Sequence, residues 1–150
     1  MAGSFITVST NGSDIAIAKV LTKVISNGQQ LEPAFQDIGE YLLESHEARF
    51  DLEIAPDGEL WEPLAPRTLA KKKRDTILRE EGILRNTLAW QLDGDDLLFG
   101  SNLVYAATHQ FGRPGDGIPQ REVIGLTTSP WSDEEVIVDI LQSHLLDGVA

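Results

Sequence analysis

The chain has 150 residues, a length that supports one hydrophobic core and leaves no room for a second. Twelve basic against twenty-four acidic side chains give a formal charge of −12, which excludes general affinity for nucleic acid or anionic membranes. There are no cysteines, so disulfides and thiolate metal sites are excluded and stability must come from packing.

The charge is unevenly spread. Residues 1–66 carry three basic and eleven acidic groups, and residues 86–150 carry two and ten, each a net of −8. Residues 67–85 carry seven and three, a net of +4, and this basic island could pair with an acidic surface on a neighbouring copy. No apolar run approaches the roughly 20 residues that cross a bilayer, and the N-terminus lacks the layout of a secretion signal, so the expectation is a soluble protein without membrane partners.

In chain order, Phe5 to Val8 is a β-rich opening that Asn11-Gly12 breaks. Ile17, Val20, Leu21 and Val24 then recur at helical spacing, with Asn27-Gly28 as the stop. A second helix starts near Leu31 or Pro33, and its stripe of Phe35, Ile38, Leu42 and Leu43 runs toward Phe50, predicting the longest helix of the domain. Pro56-Asp57-Gly58 predicts a turn, followed by an irregular connector whose Trp61 needs a packing partner. From Thr68 to about Arg79 the chain reads as a basic helix that Gly82 interrupts.

Leu88, Trp90 and Leu92 alternate with polar or small residues, and Leu97, Leu98 and Phe99 follow Asp93-Gly94. That order predicts a two-residue hairpin with positive φ at both turn positions. Ser101 or Asn102 is placed to cap a short helix carrying Tyr105, His109 and Phe111, closed by Gly112. The stretch from Glu122 to Leu126 predicts an edge strand led by Pro119. Ser132 with Glu135 forms a capping box ahead of a terminal amphipathic helix. The expectation is an α+β single domain over 1–150, an antiparallel sheet of a hairpin plus edge strands packed by two or three helices. Residues 1–12 form a candidate N-terminal arm and residues 132–147 a C-terminal helix.

The search for chemistry returns little. His46, His109 and His144 fall on three predicted helices with no second histidine at metal-binding spacing. Ser45-His46 and Ser143-His144 are neighbours in sequence, which is not how a nucleophile meets its base. Asp95 and Asp96 suit a hairpin turn, and Asp133, Glu134 and Glu135 suit the first turn of a helix, where negative charge complements the dipole. Lys71, Lys72, Lys73 and Arg74 wrap around a helix without interleaved aromatics, a docking surface for an acidic partner more than a nucleic-acid site. No catalytic, metal or cofactor site is expected.

Several segments carry a resemblance. Tyr105-Ala106, Gln110-Phe111-Gly112 and Ile118-Pro119-Gln120-Arg121, with Pro56-Asp57-Gly58, Trp61, Leu64, Thr68, Leu78, Gly82, Leu84 and Gly100-Ser101, are similar in order and spacing to the phage virion morphogenesis family. These are the tail-completion proteins of Mu-like contractile-tailed phages, and the likeness spans residues 50 to 126. After Arg121 this chain has Glu122 and Val123 where the family tends to place proline and an aromatic.

The resemblance implies a non-enzymatic virion structural protein that completes the tail or joins it to the head at the neck. Its partners would be copies of itself in a hexameric or dodecameric ring, together with tail tube, sheath or connector proteins. DNA would pass through the lumen without specific binding. The protein would reside in the host cytoplasm during assembly and in the virion afterwards. The interface candidates are Phe5, Val8, Trp61, Lys71, Lys72, Lys73, Arg74, Tyr105, His109, Phe111 and Arg121. The composition also admits an acidic DNA mimic that inhibits a host nucleic-acid enzyme, and abundant carboxylates admit a metal-assisted nuclease.

Overall fold

The computed structural model describes residues 4–61, 86–101, 110 and 122–147. Six elements follow in order: β1 (Ser4–Val8), α1 (Ile15–Ser26), α2 (Glu32–Leu52), β2 (Ala89–Asp93), β3 (Asp96–Ser101) and α3 (Asp133–Asp147). The expected basic helix at 68–79, its Gly82 break, and the short helix with its closing Gly112 lie outside the described residues, apart from Gln110.

The helix boundaries follow from local chemistry. Asp14 caps α1, its Oδ1 accepting the Ile17 N–H at 3.1 Å, and Gly28 closes the helix with φ 74° while donating to the Ile25 carbonyl at 2.9 Å. Pro33 sits in the first turn of α2, which runs 21 residues and is the longest described helix. It ends at Glu53, whose φ of 57° is a left-handed conformation uncommon for a residue with a side chain. Ser132 caps α3, its Oγ accepting the Glu135 N–H at 3.2 Å.

The three strands form an antiparallel sheet in the order β1-β3-β2, the α+β arrangement expected. Val8 pairs with Leu97, Ile6 with Phe99, Trp90 with Phe99 and Leu92 with Leu97, which puts these side chains on one face, while Thr7, Leu98 and Gln91 share the other. The helices cover the first face. Phe35, Ile38 and Leu42 of α2, Leu21 of α1, Leu97 and Phe99 of β3, and Ile137 and Leu141 of α3 are all buried in one core. Burial of each such side chain stabilises by about 1.5–3 kcal/mol.

Three contacts set α2 and α3 in place. Gly39 lies under Trp90 so closely that a Cβ there would stand 2.4 Å from the indole Cδ2, so only glycine lets β2 settle on α2. The helices α1 and α3 lie side by side and parallel. At one end Glu134 is held protonated to higher pH than usual by a hydrogen bond with Asp14 and by its charge; at the other Gln29 Nε2 donates to the His144 carbonyl at 2.9 Å.

Three local expectations change. The hairpin is present, but Asp93 pairs with Asp96, so its loop is Gly94-Asp95, and only Gly94 has positive φ, 62°. A type II′ turn needs the left-handed angle only at its first loop position, so glycine there suffices. Residues Glu122 to Leu126 form no strand. Ser101, offered above as a helix cap, is the last residue of β3, its hydroxyl 2.9 Å from that of Thr87.

Candidate functional site

Three of the interface candidates fall on described residues. Phe5 is half-buried in β1 opposite Gly100, and Val8 is buried opposite Leu97, so the N-terminal segment 4–8 is an edge strand of the sheet. Trp61 is buried, its ring edge-on to Phe50 at 5.4 Å and its Nε1 donating to the Glu122 carbonyl at 2.8 Å. The structure thus gives Val8 and Trp61 work inside the subunit. Lys71, Lys72, Lys73, Arg74, Tyr105, His109, Phe111 and Arg121 lie outside the described residues.

Trp61 is presented by a tight loop. The Gly58 N–H reaches the Ala55 carbonyl at 2.9 Å, closing the Pro56-Asp57-Gly58 turn, and the Trp61 N–H reaches the Glu53 carbonyl at 2.8 Å. Gly58 has φ 88°, and a Cβ on it would meet the Ser129 carbonyl oxygen at 2.9 Å. The loop therefore leans directly on the chain leading into α3.

Why 122–126 is not a strand follows from where its backbone groups go. Gln110 Oε1 accepts the N–H of both Val123 and Ile124 at 2.8 Å, and its Nε2 donates to the Ile124 carbonyl at 2.9 Å. His46 Nε2 accepts the Gly125 N–H at 3.2 Å, and Arg49 Nη2 donates to the Gly125 carbonyl at 2.8 Å. Side chains thus occupy the groups that a sheet ladder would use, and the segment becomes a strap across the C-terminal half of α2.

Beneath the strap lies a buried polar cluster. Asp133 has no exposed surface; its Oδ1 accepts from Tyr41 Oη at 2.6 Å, Ser45 Oγ at 2.7 Å and Trp131 Nε1 at 3.1 Å, and its Oδ2 accepts the Thr127 N–H at 2.7 Å. Burial, then the hydrogen bond to Asp133, pushes the Tyr41 hydroxyl well above its ordinary range. Ser45 Oγ also accepts from Trp131 Nε1 at 2.9 Å, so it is fully engaged.

His46 is buried with Nδ1 2.7 Å from the Leu42 carbonyl, which fixes the proton on Nδ1 and leaves Nε2 as the acceptor for Gly125. Burial, with Arg49 nearby, pulls its pKa well below the ordinary value, and the neutral ring packs on Phe99 at 4.4 Å. Burial also lowers the Arg49 guanidinium to about 10, against the opposing pull of Asp133 and Glu122. Arg49 Nε and Nη1 have no hydrogen-bond partner among the described residues.

Ser45 and His46 point to different partners, so they do not form a nucleophile and base. Among the described residues no group of three or more His, Asp or Glu could hold a metal ion. What the cluster can do is mechanical: it ties α2, the strap and the start of α3 into one unit.

The cluster was missed in the sequence because each residue had an adequate local explanation. Asp133 suited a helix first turn, yet its carboxyl group is a buried hub. A signal was present in α2: Ser45, His46 and Arg49 continue the spacing of Phe35, Ile38 and Leu42, so polar side chains occupy the buried face.

A groove of about 630 Å³ lies at the end of β1 and the turn into α1, lined by Ile6 to Ser9, Asn11 to Asp14, Ile17 and Leu126. Thr7 and Val8, from opposite faces of β1, both line it, so it reaches the side of the strand's last residues.

Compared with known proteins, the chain matches the model of the phage virion morphogenesis family over residues 13–146. The match takes in α1 and nearly all of α3, beyond the span of the motif resemblance, and leaves β1 outside it. No curated protein and no solved structure matches the chain.

Proposed function

The chain belongs to the phage virion morphogenesis family, and we propose that within that role it is a structural subunit that completes the tail or joins it to the head at the neck. Membership itself assigns a part in building the phage particle. The finer reading is supported by the order and spacing of the tail-completion segments between residues 50 and 126, which carry it above the alternatives.

In this reading the subunit makes no covalent bond and acts through contact with copies of itself in a ring and with tail or connector proteins. The charge of −12 suits a lumen through which DNA slides, because a negative wall repels the phosphates. The buried cluster contributes rigidity, holding the strap and the helices in one arrangement while the subunit bears load.

Gold-labelled antibody against the protein tests the location. Label at the head-proximal end of the tail supports the proposal, and virions free of label refute it. Pull-down from infected cells tests the acidic-inhibitor alternative: recovery of a host nuclease or polymerase in place of virion proteins would favour that reading.

A further inference from the structure

The sheet has two outer edges, β1 and β2, and among the described residues neither is paired. Edge strands of free-standing proteins are guarded by lysine, proline, bulges or inward charge, because their open N–H and C=O groups recruit other chains. Among the described residues neither edge strand contains a lysine, a proline or a bulge. Residues 1–13 contain no Asp, Glu, Lys or Arg in a chain where 24% of residues are charged, and β2, Ala-Trp-Gln-Leu-Asp, carries a single charge at its last position.

Two copies that each carry −12 repel one another over most of their surfaces, and a surface without charge adds nothing to that repulsion. β1 and the first four residues of β2 are such surfaces. They also match geometrically: β1 and β2 are each five residues long and both run antiparallel to β3, so they run parallel to each other. Adding the β2 of one copy to the β1 of the next keeps every sheet in the same sense. A repeated contact between unlike edges is head-to-tail, the kind that closes into a ring.

We infer that the outer edge of β1, with the groove beside it, receives the β2 strand of a second copy of this chain, extending the sheet from subunit to subunit. The groove supplies a seat at the end of that edge: Thr7, Val8, Asp14, Ile17 and Leu126 line it, and the incoming strand takes the place of water on the β1 main chain. The inference rests on the subunit reading above in taking the neighbour to be another copy. β1 lies before the residues that match the family model, and β2 lies among them.

Disulfide trapping in the full chain tests it, since the protein has no cysteine of its own. Thr7 and Gln91 are exposed on the same face of the sheet with β3 between them. Two strand spacings, about 9.5 Å, separate them within one subunit, too far for a disulfide inside it, whereas adjacent strands of two copies bring such positions within reach. Thr7→Cys and Gln91→Cys variants, mixed and oxidised, should give a reductant-sensitive heterodimer and little homodimer, and the double variant should give a ladder of higher species. Phe5→Cys and Ala89→Cys repeat the test on the same face should the register be shifted by two residues.

Homodimers of the Thr7→Cys variant alone, as abundant as the mixed product, would show β1 pairing with itself and overturn the head-to-tail contact. Absence of trapped species from every pair, while the wild-type protein is oligomeric by native mass spectrometry, would overturn the inference and leave the subunit reading intact. A wild-type chain that stays monomeric and traps nothing would remove both the edge contact and the ring.

Discussion

Gly39 offers a sharp test of how the sheet sits on α2, because two effects of known size oppose each other there. Replacing it with alanine gains about 1 kcal/mol in helix propensity at a mid-helix position. The same Cβ would stand 2.4, 2.5 and 2.7 Å from three atoms of the Trp90 indole, far inside the roughly 3.5–4 Å at which carbon atoms rest. Relieving that overlap by moving α2 or β2 costs about 1–3 kcal/mol, and swinging the indole into solvent forfeits a similar amount of buried area. The overlap outweighs the propensity, and we expect Gly39→Ala to lose up to about 2 kcal/mol, a fall in Tm of up to about 8 °C for a chain of this length. In a Trp90→Ala background the clash is gone and the same substitution should raise Tm. Thermal unfolding followed by circular dichroism on the four chains of this cycle reads both numbers. A Gly39→Ala protein more stable than wild type, with Trp90 present, would refute the packing described here.

Three further outcomes follow from the buried cluster and the strap. Asp133→Asn replaces an acceptor of four hydrogen bonds by a group that must turn its amide toward one of the donors, and it removes the charge opposing Arg49; urea unfolding should show a loss of about 3–5 kcal/mol. Gln110→Ala leaves the Val123 and Ile124 N–H groups and the Ile124 carbonyl without their partner, which should cost about 2–4 kcal/mol and speed hydrogen exchange at those two amides first. His46 has a folded pKa below its unfolded value, so the unfolded chain takes up a proton first as pH falls beneath about 6.5, and stability declines by up to about 1.4 kcal/mol per pH unit until the folded value is reached. A His46→Gln variant should show a shallower decline between pH 6.5 and 5, and equal slopes would contradict the buried neutral ring.

The elements that could be read in the sequence are those whose causes are local. α1 announces itself by Ile17, Leu21 and Val24 at helical spacing ahead of the Asn27-Gly28 stop, and α3 by the Ser132 and Glu135 pair; the Asp14 cap of α1 emerged only in the structure. The hairpin was legible to within one residue, since Asp93 or Gly94 could open the loop and only the cross-strand register decides. The strap was not legible, because side chains occupy the groups a sheet partner would use: those of Gln110, and those of His46 and Arg49, 79 and 76 residues before Gly125. Asp133 was misread for a related reason: a carboxylate at a helix start looks the same in sequence whether solvent or Tyr41 and Ser45 surround it.

Membership of the family gives this chain a part in building phage particles. Electron microscopy of lysates from phage in which its gene is disabled measures that directly. Full heads beside unattached tails are the expected result, with infectious particles restored when the protein is supplied in trans; normal infectious virions from the disabled phage would contradict a part in assembly.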